Sequence, residues 1–206
     1  MLAKDAFERT TTSGWGQADL GGAWSVSGGS AAAASVNGTE GVLTLAPGQT
    51  RNLTLPATTV RDATISFNAS LDQAPSTGTT YFGVLARQVG SEQYLVRVWL
   101  RADGTVWLVT QRGGTTLNAA PVSGATWKAG DRFSVKVQVS GAGTTTLKAK
   151  VWSAGAAEPG AWQVTSTDAT ASLQKAGTVG VHAARGSTAQ ANAVIAFDDL
   201  VVATVE

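Results

Sequence analysis

Arg132-Phe133-Ser134-Val135-Lys136-Val137-Gln138-Val139 carries an apolar side chain at every second position and a polar or charged one between. Successive side chains of a β-strand point to opposite faces, so this alternation predicts an antiparallel strand with one face in a core and the other in water. After Gly141-Ala142-Gly143 the run Thr146-Leu147-Lys148-Ala149-Lys150-Val151-Trp152 repeats the pattern. The pair reads as a hairpin with Leu147, Ala149 and Val151 inward and Lys148, Lys150 and Trp152 outward. A second hairpin joins Tyr94 to Arg101 with Thr105 to Arg112 about the tight turn Asp103-Gly104. Its register puts Tyr94, Val96, Val98 and Leu100 in the core and Leu95, Arg97, Trp99 and Arg101 on the opposite face.

Further strands are expected at 41–46, 50–55, 60–71, 80–89, 161–166, 177–183 and 193–203, with one more near the N-terminus. No segment holds a helical period, and no repeat of 20 to 50 residues is evident, which excludes a propeller or solenoid. A dozen or so short antiparallel strands predict an all-β, two-sheet jelly-roll sandwich. The 206 residues contain no convincing linker and are expected to form one β domain, 1–206.

Composition narrows the functions. Hydrophobic residues make up 43% of the chain, ample for a core, yet no stretch approaches the ~20 continuous apolar residues of a membrane helix. Fifteen Lys and Arg against fourteen Asp and Glu leave a net charge of +1, so nothing global draws the chain to nucleic acid or to a membrane. Charged residues are only 14%, a balance that resembles secreted or particle-borne β-proteins. The absence of cysteine removes disulfides, thiolate catalysis and thiolate metal sites together. The opening Met1 to Arg9 has no apolar segment of a signal peptide, so the expectation is a fragment of a larger protein or one released in an assembled particle.

Asp5-Ala6-Phe7-Glu8-Arg9-Thr10, with Ser13-Gly14-Trp15-Gly16 and Gly21-Gly22-Ala23-Trp24-Ser25-Val26 after it, resembles the start of concanavalin A-like lectin/glucanase (LamG-like) jelly rolls. Ile195-Ala196-Phe197-Asp198-Asp199-Leu200-Val201-Val202 resembles their terminal strand. The likeness spans nearly the whole chain and implies that the first and last strands lie together. It also suggests an extracellular or virion-associated setting, since this version is similar to domains of actinobacterial extracellular proteins and of minor tail or other virion proteins of actinobacteriophages.

Glycanases of this family set acids as Glu-x-Asp-x-x-Glu on one strand; here no such run exists, and Glu8, Glu40, Glu92, Glu158 and Glu206 are scattered, the last lying outside the residues the structure describes. His182 is the only histidine and has no Gly-x-Ser-x-Gly elbow beside it. A lone histidine on an alternating strand reads as an ordinary polar side chain, and the expectation is that the chain is not an enzyme.

Related jelly rolls hold a structural calcium near the paired terminal strands, which implies Asp5, Glu8, Asp198 and Asp199 as metal candidates. Calcium takes about 6–8 oxygen ligands. The alternative is that Asp198-Asp199 ends a strand and hydrogen-bonds a loop. Trp15 and Trp24 read as core or rim residues, and Trp127 and Trp162 as lids at the ends of the sandwich.

The outward residues Arg97, Trp99, Arg101, Lys136, Lys148, Lys150 and Trp152 form the candidate ligand face. Indole rings stack on sugar rings, while Lys and Arg pair with hydroxyls or carboxylates. The alternatives are cation stems covering indole rings in water, or burial of the same Trp residues against a neighbouring subunit. The expected function is a non-catalytic carbohydrate-binding or adhesion module that recognises a cell-surface polysaccharide or cell-wall glycan. A structural virion protein, as a minor tail or capsid decoration component contacting other virion subunits, is the second expectation.

Overall fold

A computed structural model describes residues 1–205 as two antiparallel sheets packed face to face. The nine-stranded sheet runs, in spatial order, β14 (Val164–Asp168), β13 (Thr145–Ser153), β12 (Arg132–Ser140), β7 (Ala63–Leu71), β16 (Ala193–Ala203), β5 (Gly41–Leu45), β4 (Ala34–Asn37) and β2 (Thr10–Thr11). The short β1 (Ala3–Asp5) also pairs with β16. The seven-stranded sheet runs β11 (Thr115–Thr126), β10 (Thr105–Arg112), β9 (Glu92–Leu100), β8 (Thr80–Val89), β15 (Gly177–Arg185), β6 (Thr50–Val60) and β3 (Ser25–Ser27). Among the described residues no helix is long and apolar enough to cross a membrane.

Alternation builds the core as expected. Phe133, Val135, Val137 and Val139 of β12 are buried beside Leu147, Ala149 and Val151 of β13, and face Tyr94, Val96, Val98 and Leu100 of β9 across the sandwich. Burying each Val, Leu or Phe contributes about 1.5–3 kcal/mol, so the two-residue period is what holds the sheets together.

The N-terminal motif packs rather than binds. Trp15 is fully buried, its ring centroid 5.0 Å from those of Phe7 and Trp24 and 5.5 Å from that of Phe197. Edge-to-face pairs of this kind add about 0.5–1.5 kcal/mol each. The expected meeting of the chain's two end motifs is found: Ala3 lies opposite Val202, and Asp5 opposite Leu200. β16 changes partner on the way, pairing β5 as far as Phe197 and β1 from Leu200, with Asp199 at φ +52° in the break.

Three features depart from the sequence expectations. β6 continues to Val60 and turns at Arg61-Asp62, instead of breaking after residue 55. β11 was not anticipated: its Thr, Ala, Pro and Gly residues are mostly exposed, because it is an edge strand paired on one side only. The largest departure concerns the candidate ligand face. Arg97, Trp99 and Arg101 belong to the seven-stranded sheet, whereas Lys136, Lys148, Lys150 and Trp152 belong to the nine-stranded one. The seven residues therefore occupy opposite outer surfaces of the sandwich, since outward on one sheet is away from outward on the other.

Candidate functional site

Register fixes what lies beside Trp99 on the outer face of the seven-stranded sheet. One row across the strands reads Ala184, Tyr81, Trp99, Trp107, Pro121; the next reads Asn52, His182, Gly83, Arg97, Val109, Ala119. The first row is an aromatic ladder. Tyr81 and Trp99 are stacked with centroids 5.6 Å apart, and Trp107 follows at 6.0 Å, tilted by 54°. Arginines are interleaved with the rings: the Arg97 guanidinium lies 4.5 Å from the Tyr81 centroid, and that of Arg101 lies 4.7 Å and 5.2 Å from the Trp99 and Trp107 rings.

Gly83 sits between His182 and Arg97 in the second row and leaves the space between them open. A Cβ there would fall 2.0 Å from the Val96 carbonyl oxygen, so the neighbouring strand admits no side chain. Gly180, next to Leu85, is equally tight against Leu53. Leu85, Leu95 and Val109 face outward yet are buried, giving this face an apolar floor.

The polar groups on this floor are under-used. Arg101 has a carboxylate at hand, Asp103 at 3.4 Å. Among the described residues Arg97 has neither an acidic partner nor a hydrogen-bond acceptor, and its Nε is buried and unpartnered. Trp99 Nε1 and His182 Nε2 share that condition, so three of the four such side-chain atoms lie on this one surface. A buried donor without a partner costs about 1–3 kcal/mol, which is why clusters of them are worth explaining. His182, 4% exposed, donates from Nδ1 to Asn52 Oδ1 at 2.8 Å, leaving Nε2 as the acceptor. Burial, and secondarily the charge of Arg97, pushes its pKa from 6.5 down to about 3, so the imidazole is neutral at ordinary pH. Burial also lowers the pKa of the Arg97 guanidinium.

The other candidates are arranged differently. Lys136 and Lys150 lie opposite one another on β12 and β13, and the Glu158 carboxylate bridges them at 2.9 Å and 2.6 Å. Hydrogen bonds from Lys150 and then Lys136 hold the Glu158 pKa below its ordinary value. Lys150 also donates to the Pro159 carbonyl at 2.8 Å and lies 4.9 Å from the Trp162 ring centroid. Trp152 stands in the row Trp152, Ser134, Asn68, Asp198, and Lys148 has no ion-pair partner among the described residues. Trp127, near one end of the sandwich as expected, is buried and donates to the Arg101 carbonyl at 2.9 Å.

The four metal candidates do not form a calcium site. Asp5 is fully buried and spends its oxygens on Arg9 (2.6 Å and 2.8 Å), Trp24 Nε1 (2.7 Å) and the Phe7 amide (2.9 Å). Asp198 pairs with Arg132, Asp199 accepts from Asn68 at 2.9 Å, and Glu8 is exposed. Among the described residues no group of three or more His, Asp or Glu converges as a metal would need.

No protein-family model matches the chain, and no curated protein matches it. Solved structures do share its fold. The alginate lyase Aly36B superposes with a TM-score of 0.64 over 99% of this chain and 97% of that one, at 8% identity. A beta-1,3-glucanase from Mycobacterium marinum gives 0.60 over 98% of both, at 11% identity. The carbohydrate-binding module CBM66 from Bacillus subtilis gives 0.53 over 88% of this chain and 95% of that one, at 12% identity. At such identities the likeness establishes the fold alone, a two-sheet antiparallel jelly-roll sandwich. It also corrects the expectation that the chain is not an enzyme: neighbours matched over nearly their whole length are mostly enzymes, alginate lyases and a glucanase among them, so this is a fold that carries catalysis. The sequence search for paired carboxylates and a serine triad tested two chemistries only, and their absence leaves others open.

Residues that sequence reasoning missed are Tyr81, Trp107 and Asn52, and the placement of His182 among them. Trp107 had a signal, since the Asp103-Gly104 turn sets it opposite Trp99. The others arrive through pairings distant in sequence.

Proposed function

We propose that the outer face of the seven-stranded sheet binds an acidic polysaccharide, with sugar rings along Tyr81, Trp99 and Trp107 and a uronate carboxylate on Arg97. The observation that carries this is Arg97 itself: a half-buried guanidinium, seated on an aromatic ring, with no acid among the described residues to neutralise it. A guanidinium offers a carboxylate two parallel hydrogen bonds, and a ring face takes the C–H side of a pyranose. The named activities of the alginate lyase neighbours agree with an acidic polymer as ligand.

The test is binding of alginate oligosaccharides, with a neutral glucan as control. Arg97→Met is expected to weaken acidic binding by about 10- to 100-fold, the loss of one charge-assisted contact worth about 1.5–3 kcal/mol. Trp99→Ala is expected to weaken acidic binding as well, by removing the central ring of the ladder. Folded protein that ignores every polyuronate, or Arg97→Met binding them as wild type does, overturns the reading. The wider setting, an extracellular protein or a virion meeting a cell-surface polysaccharide, rests on the resemblance of the end motifs. Staining of intact actinobacterial cells by wild type but not by Trp99→Ala is the result it expects.

A further inference from the structure

The nine-stranded sheet has an outer surface of its own, and its geometry does not repeat that of the first. The rows across β13, β12, β7 and β16 are Trp152, Ser134, Asn68, Asp198; then Lys150, Lys136, Ser66, Val201; then Lys148, Gln138, Thr64, Ala203. Two hollows open on this grid and share Lys136 and Ser66. One, about 220 Å³, lies between Trp152, Glu158, Asn68 and Asp199. The other, about 360 Å³, is bounded by Trp162, Gln138, Thr64 and Ala203. An indole thus stands in the wall of each, over a floor of hydroxyls and amides.

The segment from Ala154 to Gln163, which forms the wall, is fixed from several sides. Lys150, 7% exposed, holds Glu158, the Pro159 carbonyl and the Trp162 ring at once. Gln163 closes a pair of hydrogen bonds with the Val151 backbone at 2.8 Å and 3.0 Å. Such fixing removes ordering cost from a binding event.

Charge selects the ligand. Glu158 bridges both Lys136 and Lys150, and Asp199 adds the second carboxylate that brings the two ammonium groups into charge balance. An anion entering here competes with Glu158 and meets Asp199. A neutral diol does neither: one hydroxyl donates to the carboxylate while its neighbour accepts from the ammonium, and the ion pair stays whole.

We infer that this surface is a second, separate site for a neutral, hydroxyl-rich sugar unit, held between Trp152 and Trp162. It stands on observations independent of Arg97. If both sites act, one molecule ties an acidic polymer on one sheet to a neutral glycan on the other.

The experiment is titration calorimetry with neutral gluco-, xylo- and manno-oligosaccharides against the full chain. Trp152→Ala and Trp162→Ala are expected to lose at least tenfold in affinity, while Arg97→Met and Trp99→Ala keep it. Ser66→Tyr fills the floor common to both hollows without removing a contact, and is expected to block binding with an unchanged unfolding midpoint. The inference is overturned if no neutral oligosaccharide binds, or if binding falls with Trp99→Ala but not with Trp152→Ala or Ser66→Tyr. The latter result leaves the Arg97 face intact as a site, so the two failures are distinguishable.

Discussion

On one outer surface Arg97 lies over Tyr81 with no acid beside it; on the other, Lys136 and Lys150 divide the carboxylate of Glu158 between them. Both surfaces come from the same device, the alternate residues of antiparallel strands, and both mix cations with indoles. They differ in whether charge is settled within the protein. An unsettled cation seeks an anion from outside, whereas a settled pair keeps only its remaining hydrogen-bonding capacity to offer. The aromatic ladder shows the same contrast: Tyr81, Trp99 and Trp107 touch one another, while Trp152 and Trp162 stand apart with a polar floor between.

The largest expected effect concerns the bare backbone under the ladder. Gly83→Ala forces a methyl into the β9 backbone and is expected to destabilise by more than about 3 kcal/mol in urea unfolding, whereas Ser66→Ala on the opposite surface stays within about 0.5 kcal/mol. Equal tolerance at the two positions would break the contrast.

Acid comes next. The folded protein keeps His182 neutral down to about pH 3, while the unfolded chain takes up a proton near pH 6.5. The stability is therefore complete above 6.5 and declines as pH falls toward 3, by about 1.4 kcal/mol per unit. Between pH 7 and pH 4 the wild type is expected to lose about 3 kcal/mol more than His182→Asn. Glu158, depressed instead, contributes stability present above the ordinary carboxylate range and lost as pH drops through its lowered value. Being solvent-exposed, its share is under about 1 kcal/mol.

Opposite signs are expected for two charge removals. Arg97→Met relieves an unpaired, half-buried cation and is expected to be neutral or stabilising by about 1 kcal/mol. Lys150→Met leaves Glu158 to Lys136 alone and the Pro159 carbonyl without its donor, and is expected to destabilise by about 1–2 kcal/mol. Matching signs in chemical denaturation would show that the two surfaces handle charge alike. The smallest effect sharpens the picture: Lys148→Ala, which breaks no ion pair, is expected to change stability and both binding activities by less than about 0.5 kcal/mol.

Much of this was legible in the sequence. The period of two in Arg132–Val139 and Tyr94–Arg101 told core from surface residue by residue, and the turn glycines marked both hairpins. Alternation does not say to which sheet a hairpin belongs, because inward and outward look the same from either side of a sandwich. That is why Arg97 and Lys136 were grouped as one face. Sheet membership follows from pairings such as Gly83 with His182 and Ser66 with Lys136, which join segments far apart in the chain. The four metal candidates were not brought together for a different reason: nothing local distinguishes an acid awaiting calcium from one, like Asp5, awaiting Arg9 and Trp24.

Topology gives the two sheets a shared dependence on time. β15 lies inside one sheet, between β8 and β6, and β16 lies inside the other, next to β7 and β5. Both are drawn from the last thirty residues of the chain, 177–206. During synthesis, everything before residue 177 can form hairpins but neither complete sheet, each being split by a missing central strand with its edges unpaired. Folding of both layers thus waits for β15 and β16, and their long-range pairings, Ala3 with Val202 among them, predict a slow and concerted closure.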